Sequence, residues 1–177
     1  MYTTLNKIRQ NKPCEDGWEK LLKFLKKTKG DDDPLSLLTV LESNDLEDAV
    51  WTLRAVDGFD REKRLFAVRC ARRVQHLLTG PKAIEAIDVA ERFAYGNAAA
   101  AEELKEASYD AWTEAVHGAW VDGMWVNNPT VSAAWAAVWA ANRLSSEAAW
   151  LAAAAELRAT GTRAEQEADF RRLITLC

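Results

Sequence analysis

Cysteine is scarce and follows no pairing pattern. Cys14, Cys70 and Cys177 are an odd three in 177 residues, with no CxxC spacing. That excludes a disulfide framework and a zinc ribbon. Histidine is scarcer still: His76 and His117 are the whole supply, neither in an HExxH pattern and neither near a cysteine at ligand spacing. No metal site is expected from them. A catalytic triad would have to bring one of these two histidines to a nucleophile, and the chain carries no P-loop, GxGxxG or GxSxG. The expectation is a protein with no catalytic residues and no cofactor, one that is not an enzyme.

Long apolar runs are also missing. Val131–Ala141 is the longest weakly polar stretch, and it is too short and Ala-rich for a bilayer, which needs about 20 apolar residues. The opening MYTTLNKIRQNK has no long apolar core of the kind a signal peptide carries. With so little cysteine, a reducing cytoplasm and no membrane attachment are expected. Charge of one sign is not concentrated either. The net charge is −4; residues 1–80 hold 15 Lys/Arg against 13 Asp/Glu, and residues 81–177 hold 8 against 14. Nucleic-acid binding through phosphates wants a concentrated basic face, so a nucleic-acid partner is not expected.

Alternation of apolar and polar residues is absent as well. Asp57-Gly58 and Asp122-Gly123 lack strand-like flanks, so no sheet is expected. Helix punctuation is abundant. Asp33-Pro34, Gly80-Pro81 and Asn128-Pro129 place proline where a helix begins, and glycines 30, 58, 80, 96 and 161 fall where a helical pattern stops. Between them lie about eight helices: Thr3–Gln10, Asp16–Thr28, Pro34–Glu42, Leu46–Arg54, Arg61–Leu78, Pro81–Tyr95, Ala98–Val121 and Pro129–Arg158, the last able to break near Ser145-Ser146, before a closing Arg163–Leu176. The reading is all-α: a compact bundle forming one domain over 1–177, with a mixed-charge part (1–95) and an Ala/Trp-rich part (96–177) of long helices.

The composition changes sharply along the chain. From residue 81 onward there are 27 alanines in 97 residues, against 4 in the first 80. Alanine is the best helix former, and its small face lets helices approach closely. Eight tryptophans accompany it, several in the loose echo DAWTEA, GAWVDG, AAWAAVW and AAWLAAAA. In a single helix over Pro129–Arg158, Trp135, Trp139 and Trp150 would fall within about 60° of one another.

Two features suggest a partner. On Arg61–Leu78, Phe66, Cys70, Val74 and Leu77 step down one face while Arg69, Arg72, Arg73 and His76 step down the other. Cys70 reads as a small core residue. An arginine stripe can clasp carboxylates in a bidentate way, and Arg54 and Arg64 would enlarge it. The plainer reading is a solvated face paired with carboxylates such as Glu62 or Asp88. The second feature is HGAWVDGMWVNN over His117–Asn128, where Trp120, Met124 and Trp125 sit among glycines and asparagines. Tryptophan is enriched at interface hot spots and methionine adapts to irregular surfaces. The plainer reading folds Trp120 and Trp125 back onto the helices. Asp31-Asp32-Asp33 lacks the spaced oxygens of a calcium loop and reads as a polar linker ending in a helix cap. Glu91, Glu102 and Glu103 read as surface carboxylates.

The stretches PLSLLTVLESNDLEDAVWTLRAV, RLFAVRCARRVQHLLT and AIDVAERFAYG, followed by an Ala/Trp-rich helical tail, resemble small phage and prophage proteins labelled immunity proteins of the Imm-5-like group. The pattern runs over residues 1–110 and is compositional beyond them. The resemblance implies a cytoplasmic protein of a bacterial host that binds and neutralises a toxin or defence effector. In a phage setting the same logic extends to counter-defence, including inhibition of a CRISPR machine. It carries no catalytic motif. The expected function is therefore a non-enzymatic protein-binding inhibitor, monomeric or homodimeric, with a self-associating structural protein and a nucleic-acid-binding helical module as alternatives.

Overall fold

Side-chain caps start four of the helices and left-handed glycines end two. The computed structural model describes residues 1–97, 100–121, 124–126, 128–142, 145–161 and 163–175. The chain is all-α, with ten α-helices and two short 3-10 turns among those residues. They group into two units, Met1–Phe59 with Glu167–Cys177, and Asp60–Gln166. The composition change at Gly96 thus falls inside the second unit and marks no boundary.

In the first unit, α1 (Leu5–Gln10), α2 (Glu15–Leu25), α3 (Leu37–Ser43) and α4 (Leu46–Trp51) are short, and three of them begin at a side-chain cap. Thr4 accepts from the Lys7 amide, Ser36 from Leu38 and Asp45 from Asp48. Each satisfies an amide that the first helical turn leaves without a partner. Pro34 does not open a helix. It leads into strand β2 (Leu35–Ser36), which pairs antiparallel with β1 (Tyr2–Thr3), and Ser36 caps α3. The expected absence of strands therefore fails at this bridge, because two-residue strands show no alternation to read. Thr3 Oγ1 donates to the Ala55 carbonyl and secures β1. Asp31 and Asp33 both pair with Lys27, at 2.5 and 2.9 Å, so this acidic run closes a loop and does not cap a helix.

The second unit holds α5 (Asp60–Arg73), α6 (Pro81–Ala94), α7 (Ala100–Ala119), α8 (Pro129–Ala140) and α9 (Ser145–Thr160). Helix α10 (Ala164–Thr175) gives its first residues to this unit and the rest to the other. Proline stands at the first turn of α6 and α8, and Asn128 accepts from the Val131 amide. Gly96 (φ 87°) ends α6: its own amide donates to Phe93 and that of Asn97 to Arg92, which together form a Schellman motif. Gly161 (φ 70°) ends α9, and its amide donates to the Leu157 carbonyl. Gly58 also has positive φ (72°), whereas Gly80 is extended and precedes α6 as its N-cap.

Alanine makes the helix contacts. Ala133, Ala136, Ala137 and Ala140 of α8 and Ala148, Ala149 and Ala152 of α9 are fully buried, as are Ala83, Ala86 and Ala90 of α6. With no long side chain between them, α8 and α9 pack along their lengths. The fully buried bulk comes from Phe66, Val74 and Ile87, while Trp135, Trp139 and Trp150 are half-buried. Among the described side chains only Trp18 is a buried tryptophan. Pro129–Arg158 is two helices. Trp135 and Trp139 therefore share α8, their rings stacked 5.8 Å apart, while Trp150 belongs to α9.

Candidate interaction surface

The arginines of α5 part company in three dimensions. Arg69 and His76 are exposed. Arg72 is half-buried: its Nη2 donates to Asp88 Oδ1 at 2.7 Å and to Glu91 Oε2, and its Nη1 to Gln75 Oε1 at 2.8 Å. Desolvation works against its charge, but the hydrogen bonds it donates to Glu91 and Asp88 prevail and hold its pKa above the ordinary arginine value. Arg73 is bound inward to Glu156 of α9, through Nε to Oε1 and Nη2 to Oε2. Arg64, expected to enlarge the stripe, is only 3% exposed. It donates to the carbonyls of Ala140 (3.3 Å) and Asn142 (2.5 Å), at the end of α8, with its guanidinium 5.0 Å from the Phe93 ring. Burial lowers its pKa, with Asp60 opposing. Arg54 lies over Trp51 in the first unit. The residues that were to form one cationic face are thus largely spent on carboxylates and helix ends.

Beside Arg72 a shallow groove of about 580 Å³ is lined by Asp88, Glu91, Arg92, Tyr95 and Asn97. Arg92 pairs with Glu103 as Arg72 does with Asp88 and Glu91. Because the guanidiniums already have counter-charges, the groove has little pull on an outside anion.

Helix α7 presents a different surface. Its inward face is Ala100, Leu104, Ala107, Ala111 and Ala115, a small-residue stripe that lets it lie close to α6 and α8. Lys82 of α6 reaches Asp110 at 3.0 Å, and Glu114 of α7 accepts the amides of Lys82 (3.3 Å) and Ala83 (3.0 Å). One helix therefore caps the next, and α7 is held in one rotation. That rotation turns Tyr109 (66% exposed) and Trp112 (45%) outward, their rings stacked 6.2 Å apart. Val116 follows on the same face, since positions 109, 112 and 116 fall within about 60° at 100° per residue. The helix then ends in a hairpin: β3 (Trp120–Val121) pairs antiparallel with β4 (Met124–Trp125), in the register Trp120 to Trp125 and Val121 to Met124. The second predicted absence of strands fails here, and the expectation for Asp122-Gly123 itself lies outside the described residues. Trp120 (51%) and Met124 (67%) are exposed on this hairpin. Trp120 keeps about half of its surface open to solvent; the side chain of Trp125 lies outside the described residues.

Next to the hairpin a cleft of about 330 Å³ is lined by Ala119, Val126, Val131, Ser132, Trp135, Ala155 and Arg158. Its walls are apolar, with Arg158 exposed at its edge. Among the described residues no group of three or more His, Cys, Asp or Glu side chains is placed to hold a metal, and no helix is long and apolar enough to cross a membrane.

No family model matches the chain, and no curated protein or solved structure does. What can be said about binding therefore rests on the surface itself. Sequence reasoning singled out Trp120 and Met124, which are exposed, and passed over Tyr109 and Trp112, which are exposed as well. The signal was present: both stand on the side of α7 away from the Ala/Leu stripe at 100, 104, 107, 111 and 115. Trp112 stands in the echo DAWTEA, which the sequence analysis takes as composition and not as phase, and Tyr109 lies just before it.

Proposed function

We propose that the chain is a non-enzymatic protein-binding inhibitor that covers a functional surface of another protein, and that it docks through the outer side of α7 and the β3–β4 hairpin. The carrying observation is the succession of large exposed apolar side chains Tyr109, Trp112, Trp120 and Met124 along one helix and into the turn that follows it. Single exposed apolar residues are ordinary on a protein surface, but a run of them marks an interaction site. Aromatic anchors on a rigid helix cost little conformational entropy to bind, which suits a stoichiometric inhibitor. The resemblance to Imm-5-like immunity proteins supplies the partner class: a toxin or a bacterial defence effector, with counter-defence as the phage version of the same role. Arg69 and His76 remain candidates for secondary contacts. Arg72 and Arg73 are assigned to internal ion pairs.

Affinity purification from a bacterial host tests this reading. The wild-type chain retains a partner in stoichiometric amount, and a Trp112→Ala/Trp120→Ala variant with unchanged circular dichroism binds it at least about thirtyfold more weakly, the loss expected of two hot-spot residues. A folded variant that keeps the same partner with the same affinity sinks the reading. Self-association is the second reading, because the same exposed aromatics could pair with themselves. Light scattering over a dilution series separates the two.

A further inference from the structure

We propose that the cleft beside the hairpin binds a small apolar monocarboxylate, whose hydrocarbon body fills the cleft while its carboxylate meets Arg158. The cleft lies at the base of the β3–β4 hairpin, where the Val126 amide donates to the Ala119 carbonyl at 2.8 Å. Val131 and Trp135 stand four residues apart on α8, and Ala155 and Arg158 three apart on α9. Each pair therefore shares one helix face. Trp135 supplies a broad apolar wall, and Ala155 is too small to fill the space, which measures about 330 Å³. That volume stands at the lower end of the range for small-molecule pockets.

Charge selects the occupant. No acidic side chain stands among the described lining residues, and Ser132 is the one polar side chain there besides Arg158. Arg72, Arg73, Lys82 and Arg92 of the same unit are engaged by carboxylates, and Arg64 by two carbonyls. Arg158 is exposed and makes no hydrogen bond, ion pair or ring contact among the described residues. Its planar fork is thus left for the two oxygens of an incoming carboxylate. A phosphate, with close to two negative charges at neutral pH, would find only this one cation at the cleft. A peptide would bring backbone amides against apolar walls, and a buried amide without a partner is costly. A small acid with a compact apolar body has neither defect.

The test titrates four probes into the full chain: phenylpropionate, its neutral amide phenylpropanamide, the cation phenylpropylamine, and propionate, which has the carboxylate without the ring. Methyl NMR shifts of Val126 and Val131 report occupancy of the cleft. Phenylpropionate moves both methyls and saturates by about 10 mM, as suits a ligand of about eleven heavy atoms. The amide binds about fivefold more weakly, the amine more weakly still, and propionate leaves both methyls in place. Arg158→Met keeps the apolar stem, brings the acid down to the affinity of the amide and leaves the amide unchanged. Arg158→Glu reverses the order in favour of the amine. Position 158 is exposed, and circular dichroism checks that both variants keep their helices. Arg172→Met, at another exposed arginine, leaves every affinity as in wild type. The proposal is overturned by an absence of saturable shifts at Val126 and Val131, or by equal affinities for acid and amine. Acid binding that survives Arg158→Met unchanged overturns it too, as does propionate binding as well as phenylpropionate.

Discussion

Arg73 of α5 and Glu156 of α9 form a bidentate ion pair with side chains 18% and 4% exposed, and Gln166 of α10 completes it by donating to Glu156 Oε2 at 2.8 Å and to the Ala153 carbonyl at 2.9 Å. Sequence pattern had placed Arg73 on an outward stripe. The pair instead ties helices far apart in the chain, and its energetic balance is delicate. Desolvation of both ions offsets much of their attraction, yet removing one leaves the other buried without its partner.

Glu156→Ala is therefore expected to cost about 3–5 kcal/mol. The double variant Arg73→Met/Glu156→Leu, which removes both charges and keeps the volume, should recover most of that loss. Urea denaturation of wild type, the single variants and the double variant measures the coupling. A double variant as unstable as Glu156→Ala would mean that packing, and not the orphaned charge, sets the cost.

Arg64 makes a second prediction. Its guanidinium takes the carbonyls of Ala140 and Asn142, where α8 ends. Arg64→Met leaves those carbonyls without the donor and should cost about 1–3 kcal/mol. Arg64→Lys should recover only part of this, because a point ammonium does not reproduce a planar fork spanning two acceptors. Thermal denaturation of both variants checks the order Arg, Lys, Met.

Helix ends give smaller and separable effects. Asn128→Ala removes the α8 cap and should cost about 1 kcal/mol. Gly96→Ala places a side chain at φ 87° and should cost about 1–2 kcal/mol, although the space around a Cβ there is open. The strain is thus in the backbone. Gly96→Asn should be milder than Gly96→Ala, since asparagine tolerates the left-handed region better.

Asp31 gives a pH dependence. The Lys27 ammonium, hydrogen-bonded to it, and then the Asp33 amide hold its carboxyl below the ordinary value of 3.8, with desolvation opposing. A depressed carboxyl stabilises the fold above its unfolded value and loses that contribution as pH falls through the lower folded value. The stability difference between wild type and Asp31→Asn should therefore be flat near neutrality and shrink from about pH 5 downward. Chemical denaturation across that range measures it. A difference that grows toward acid would contradict the Lys27 pairing.

The helices were legible because caps, prolines and alanine content act over a few residues. Pro81, Pro129, Asn128 and Gly96 stand where local chemistry puts them. The break between Ala140 and Ser145 was only half legible: Ser145 offers a start signal, but the stop is secured by Arg64, 76 residues away from Ala140 in the chain. The two strand pairs were illegible because a two-residue bridge is decided by what the flanking helices bring together. The arginine stripe misled for a related reason. Periodicity separates a core face from the rest of a helix, but it cannot tell solvent from a neighbouring helix that offers a buried carboxylate. Tyr109 and Trp112 lay within reach, had phase been weighed above composition.

Glu114 ties two sequence positions together more tightly than either would suggest alone. Its carboxylate occupies the space where a side chain at Gly80 would begin. Any larger residue at position 80 must evict that carboxylate from the start of α6, so position 80 stays small for the sake of a residue on α7 and not for backbone freedom. Serine at position 80 could cap α6 by itself and make Glu114 dispensable. Gly80 and Glu114 are thus two halves of one exchangeable part, and variants of this protein should replace them together or leave both alone.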